Sequence, residues 1–236
     1  MIKEAINRIL ELSIGQRVTI DNRDYSTNRL FEIIPPTVKP FTIHTLTGII
    51  DYFSSPEDVK KEETLLHIET PTTLAVFGPY TDQWKQRDRF LDIELIKGNP
   101  FRFNYWYEHE QFVIEMQAKF IQDETTKLIL SRVGNITDQH VKNIADDGIS
   151  QDITVRKGIT QEANTKVPNP VTLNPYRTFP EVEQPSSNFI FRLRSVDGGL
   201  PQCALFDADG GQWQLEAIQN IKEWLEEKLP EVAIIA

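Results

Sequence analysis

The sequence predicts an α+β fold in which antiparallel sheet packs against helices and the chain closes with an amphipathic helix. Three observations carry this. Apolar and polar residues alternate from 63 to 96 and again from 189 to 206. Apolar residues recur at helical spacing from 109 to 136 and from 213 to 229. Strands fall in neighbouring runs, with helices between the groups.

Taken in order, Ile2, Ile6, Ile9 and Leu10 share one helical face, and Gly15 follows as a stop. Between 16 and 40 apolar residues alternate with turn residues until Pro35-Pro36 and Pro40 interrupt any regular element. The expected division is therefore 1–35 as N-terminal helix and arm and 36–236 as a single α+β domain. Thr45 or Thr47 caps a helix through Leu46, Ile49, Ile50 and Phe53, which ends at Ser54-Ser55-Pro56; Pro56-Glu57-Asp58 opens a further turn. Residues 63–70, 74–77 and 87–96 read as a meander, with 78–82 as a loop.

The aromatic run Phe101, Phe103, Tyr105, Trp106, Tyr107 leads into a helix with Phe112, Met116 and Phe120 at four-residue spacing. A second helix, 124–136, offers Leu128, Ile129, Leu130 and Val133 as its buried side. After the turn Asp146-Asp147-Gly148, Ile153 and Val155 alternate with Thr154 and Arg156. Four prolines between 167 and 180 restrict that stretch to edge strand or loop. Phe189, Phe191 and Leu193 face one way on the next strand and Arg192 and Arg194 the other, and Asp197-Gly198-Gly199 turns it into a hairpin with 200–206. The last helix sets Leu215, Ile218, Ile221, Leu225 and Leu229 in one stripe, with Trp213 and Trp224 at its margins and Pro230 at its end.

The charge is acidic, 25 Lys+Arg against 35 Asp+Glu for a net −10, and eight acids stand beside two lysines after residue 196. That balance excludes wrapping a nucleic-acid duplex. Cys203, the single cysteine, excludes an intramolecular disulfide and has the apolar neighbours of a buried thiol. No apolar run is long enough for a bilayer and the N-terminus lacks a signal-like segment, so a cytoplasmic protein is expected, with no membrane partner.

Several constellations bear on chemistry. Cys203-Ala-Leu-Phe-Asp207-Ala-Asp209-Gly210-Gly211 is a strand running into Asp-x-Asp-Gly and a helix. It resembles the first motif of haloacid-dehalogenase-type phosphohydrolases, which implies Asp207 as nucleophile and Asp209 as acid/base. Against this, Gly211 stands where the motif prefers Thr or Val, and the chain stops at Ala236 before later motifs follow. The competing reading is turn and N-cap chemistry. Asp88, Asp92, Glu94 and Lys97 suggest the strand of a metal-dependent nuclease, but the spacing of Glu94 and Lys97 places them on opposite strand faces.

His44, His67, His109 and His140 are scattered and provide no zinc site; His109 lies beside Trp106, Tyr107, Glu108 and Glu110. Arg177, Arg192 and Arg194, with Arg156 and Lys157, are candidates for holding a carboxylate or phosphate, or for pairing with Glu223, Glu226 or Glu227 of a neighbouring subunit. Trp84, Tyr105, Trp106, Tyr107 and Trp224 are candidate interface aromatics.

Thr42-Ile-His-Thr-Leu-Thr-Gly-Ile-Ile-Asp-Tyr-Phe53, then Glu108-His-Glu-Gln-Phe-Val-Ile-Glu-Met-Gln-Ala-Lys-Phe-Ile121, then Val167-Pro, Phe189-Ile-Phe-Arg-Leu-Arg194 and the terminal helix together resemble the YfdQ-like family of phage and prophage proteins. The likeness covers most of the chain from Pro40 onward and implies a phage-encoded cytoplasmic accessory protein. The functional expectation is a non-enzymatic homo-oligomer, without cofactor or metal, that binds a host protein or a small anionic molecule. The alternatives are a metal-dependent phosphohydrolase or nuclease using Asp207/Asp209 or Asp92/Glu94, and a virion structural component.

Overall fold

Alternation between 65 and 94 builds the centre of a five-stranded sheet. The computed structural model describes residues 2–13, 15–27, 38–55, 63–80, 85–96, 98–134, 141–146, 151–157, 160–161, 169–194, 196 and 200–236. The turn read at 56–58, Trp84, Lys97, His140 and most of the stretch preceding Asn169 lie outside these residues.

Helix α1 (Ile2–Ser13) leads to a hairpin, β1 (Arg17–Ile20) and β2 (Arg23–Ser26), within the stretch read as an arm. Its two turn residues, Asp21 and Asn22, both have positive φ (51° and 61°), as a two-residue hairpin turn of matching twist requires. Next come β3 (Phe41–Ile43) and α2 (Leu46–Ser54), whose N-terminus is capped by the Thr45 hydroxyl accepting from the Gly48 amide at 3.1 Å. The meander is β4 (Leu65–Thr70), β5 (Thr73–Tyr80) and β6 (Arg87–Glu94).

Strand β5 runs on to Tyr80 instead of ending in a loop at 78, because Arg87 donates to the Gly78 carbonyl at 2.8 Å and its guanidinium covers the Tyr80 ring. A Cβ on Gly78 would meet the Phe90 ring at 2.4 Å, so glycine is needed for that close approach.

Helices α3 (His109–Lys119) and α4 (Glu124–Gly134) follow, then β7 (Val141–Asp146), β8 (Gln151–Lys157) and β9 (Thr160–Gln161), then β10 (Val171–Leu173), β11 (Ser187–Arg194) and β12 (Gln202–Asp207). Helix α5 (Gln212–Lys228) and β13 (Ala233–Ile235) end the chain. The large sheet has the order β13-β4-β5-β6-β3; its centre is antiparallel, while β3 and β13 add parallel to its two edges. Those edge strands were not expected, since three residues cannot display a period.

Among the described residues, two apolar clusters form. The first places Phe112 and Met116 of α3 and Ile129 and Val133 of α4 against the inward row Phe189, Phe191 and Leu193 of β11, with Phe101 and Tyr107 between them. The second gathers Leu66, Ile68, Leu74, Val76, Leu91 and Ile93 on one face of the large sheet, under α2 and α5. In α4 the fully buried positions are Thr126, Ile129 and Val133, with Leu128 and Leu130 only half-buried. In α5 the buried row is Ala217, Ile221 and Leu225; Leu215, expected in this stripe, is 71% exposed because its position two residues before Ala217 places it on the opposite face of the helix.

One segment belongs to both clusters. Tyr176 donates its amide to the Lys119 carbonyl in the first, while Phe179 and Val182 bury themselves in the second. Buried Gln184 shapes the crossing: its Oε1 accepts from the amides of Arg177 (2.9 Å) and Thr178 (3.2 Å), and its Nε2 donates to the Phe179 carbonyl at 3.0 Å. The Glu181 carboxylate then caps α2 by accepting from the Leu46 amide at 2.9 Å. Replacing Gln184 by Met keeps the volume but strands these backbone groups. Urea unfolding of Gln184→Met should show a loss of about 2–4 kcal/mol, in line with buried amides left without partners.

Candidate functional site at the seam of the two cores

Antiparallel pairing sets Asp207 opposite Phe189, on the same inward row as Cys203 and Leu205. An aspartate therefore ends a core-facing row, and the group that meets it is Arg177. The Arg177 side chain is only 9% exposed, with Nη1 3.7 Å from Asp207 Oδ1 and Nη2 donating to the Ser187 hydroxyl. Three rings enclose the guanidinium: Trp213 at 4.3 Å, Phe103 at 5.1 Å and Phe189 at 5.4 Å from the ring centroids. Phe103 and Phe189 are themselves stacked, 4.9 Å apart and 10° from parallel. Planar stacking of this kind suits arginine and not lysine. Burial pulls the guanidinium down to about 10, against the opposing charges of Asp207 and Asp209, which leaves it a cation at neutral pH.

Residues after Asp207 make the turn that starts α5. Asp209 Oδ1 accepts from the Gly211 amide at 2.9 Å, and Gly210 and Gly211 take positive φ (65° and 86°). The N-cap of α5 is Gly211, without a side-chain cap, so Asp209 supplies turn chemistry and not the cap itself. The two carboxyls respond oppositely to their surroundings. Burial raises Asp207, the Arg177 charge pulling against it and Asp209 reinforcing it. Burial also works to raise Asp209, but the Ser187 hydroxyl, the Gly211 amide, the Arg177 charge and the Trp213 amide outweigh it and hold the group below the usual carboxylate range. In this arrangement Asp207 faces one buried arginine and Asp209 closes one tight turn.

The other arginines lie elsewhere. Arg192 and Arg194 point to the outer face of β11, opposite the inward row that Ser187 and Arg177 share, so the three arginines do not form one anion site. Arg194 covers the Trp106 ring at 4.7 Å and donates from Nε to Gln202 Oε1 at 2.7 Å. Trp106 meets Phe206 edge-on at 5.8 Å, and Arg102 covers Tyr105 at 4.2 Å.

Tyr107, read as an exposed interface residue, is 2% exposed. It bridges to Cys203 through two backbone bonds of 2.8 and 3.0 Å, which fold its ring into the first core. Trp224 is half-buried against the second core, 6.0 Å below the Lys228 ammonium. The side chains of Arg156 and Lys157 lie outside the described residues.

Asp92 is held by Arg89, which also reaches Glu69 at 3.1 Å, on the sheet face away from the second core. His109 Nε2 donates to the Val133 carbonyl at 2.7 Å and so ties the start of α3 to the end of α4. His44 Nδ1 likewise donates to the Glu94 carbonyl at 2.7 Å. Burial pushes the Cys203 thiol up to about 12, which leaves it protonated and unreactive. Among the described residues, no three His, Cys, Asp or Glu side chains are placed to hold a metal ion.

Sequence reasoning missed Ser187, Phe103 and Phe189 as partners of Arg177. Their only signal was the inward register that Ser187 and Phe189 share on β11. Compared with protein-family models, curated proteins and solved structures, the chain matches none.

The two aspartates predict opposite acid responses. Asp209, lowered on folding, adds stability that is complete above the ordinary carboxylate range and is lost as pH falls through its folded value. Asp207, raised on folding, surrenders stability as pH rises through its folded value and regains it on acidification. Between about pH 5 and pH 2, Asp209→Asn should therefore lose less stability than the parent chain and Asp207→Asn should lose more, as measured by chemical denaturation at each pH.

Proposed function

We propose that this chain is a binding protein that assembles head to tail with copies of itself, the outer face of the β10-β11-β12 sheet of one copy seating the acidic face of α5 of the next. One observation carries the reading: a single chain presents both halves of such a contact on different elements. The sheet face carries Arg192, Arg194 and the Trp106–Phe206 pair, residue types that concentrate binding energy at interfaces. The α5 face exposes Glu216, Glu223, Glu226 and Glu227, with Leu215 standing clear of the protein.

Opposite charges on separate faces favour a heterologous contact, which closes into a ring or extends as a filament. The stripe Ile2, Ile6 and Ile9 on α1, exposed by 80%, 51% and 65%, supports association further. A phage-encoded accessory role in the host cytoplasm is proposed on the residue likeness to YfdQ-like proteins alone.

Light scattering coupled to size-exclusion chromatography tests the contact. The parent chain should elute as an oligomer at micromolar concentration, and Arg192→Glu with Arg194→Glu, or Glu223→Lys with Glu227→Lys, should each give monomers. Mixing the two variants restores opposite charge at every contact and should restore the oligomer. A monomeric parent chain, or variants that stay assembled, would overturn the proposal.

A further inference from the structure

Where the two cores meet, the fold leaves a cleft of about 550 Å³. We propose that it binds a small, mainly apolar molecule of no net charge that carries a hydrogen-bonding head. Size is the first argument, since small-molecule sites occupy roughly 300–1,000 Å³ and favour junctions between packed units. Composition is the second. Leu95 and Ile96 beyond β6, Pro100, Ala118 in the last turn of α3, Tyr176 and Pro180 form an apolar wall. Ile96 is 69% exposed and Tyr176 55% exposed, so large apolar surface faces solvent in a concave place.

Charge settles the ligand class. The two cations that line the cleft among the described residues are both matched within the chain, Lys119 by Glu115 and Arg177 by Asp207, and the carboxylate on the lining, Glu94, is exposed and keeps its water. An acidic ligand would have to displace these pairs. A neutral one keeps them and finds Thr72, Thr73 and Asn99 for its polar head. Shape argues against an added strand or a second chain, because turns and helix ends line the cleft while the large sheet's edge strands, β3 and β13, take no part in it.

The probe is N-phenyl-1-naphthylamine, an uncharged apolar fluorophore, with its sulfonated relative 1-anilinonaphthalene-8-sulfonate as the charged comparison. Both are titrated into the parent chain and into the Arg192→Glu/Arg194→Glu variant, so that the cleft is measured apart from self-association. The neutral probe should saturate at one site per chain in both proteins and bind more tightly than the sulfonate. Ala118→Trp, which fills the cleft from an exposed helix position, should weaken it about tenfold or more with the urea midpoint unchanged. Ile96→Glu, at a site with no core role, provides a second variant with the same expected loss. Absence of saturable binding, a sulfonate that binds as tightly, or affinity unchanged in both variants would overturn the proposal.

Discussion

A buried arginine sits where two apolar cores meet, and the placement of its partners organises the structure around it. Taking a guanidinium out of water is costly, and a buried charge is tolerated only where geometry supplies compensation. Here the compensation is distributed. Phe103, Phe189 and Trp213 supply ring faces, Ser187 an acceptor, and Asp207 the opposite charge. These groups come from the loop before α3, from β11, from the end of β12 and from the first turn of α5. Arg177 thus fixes how the strand-turn-helix unit at the C-terminus joins the first core.

The same residue is continuous with the crossing segment. Its amide is bound by Gln184, whose side chain also bonds Thr178 and Phe179 as the chain enters the second core. Thr178 donates to the Pro71 carbonyl at 2.5 Å, joining the crossing to the turn between β4 and β5. Glu181, three residues on, caps α2. The cleft is what remains between these connections: a junction held by polar bonds at its base and walled by apolar side chains, of which Leu95 also packs against the second core. Binding chemistry and architecture therefore depend on one junction, while the arginine-and-aromatic sheet face and the acidic helix face lie outside it.

Much of this fold was legible in the sequence where a period is long enough to show itself. A helix cap at Thr45 or Thr47, the spacing of Phe112 and Met116, the meander and the alternation of Phe189, Phe191 and Leu193 all reflect local rules. The junction was not legible, because it depends on register between distant segments. Charge alone grouped Arg177 with Arg192 and Arg194, yet pairing sends the latter two outward while Arg177 meets the inward end of the row. Tyr107 lies in a run of aromatics with no period, so its burial is decided by the bridge to Cys203 and not by local pattern. Asp207 and Asp209 read two ways in the sequence because a strand-turn-helix corner and a phosphate-handling corner draw on the same residues: carboxylates for loose amides and glycines for positive φ.

A double-mutant cycle in urea measures directly how strongly Asp207 and Arg177 act as a pair. Arg177→Met keeps most of the apolar stem among the rings while removing the charge, and Asp207→Asn removes the opposing charge. The two losses should be coupled by about 1 kcal/mol or more, the range seen for side chains in one network. Losses that add within about 0.3 kcal/mol would show that the pair does not act as a unit and would contradict that coupling.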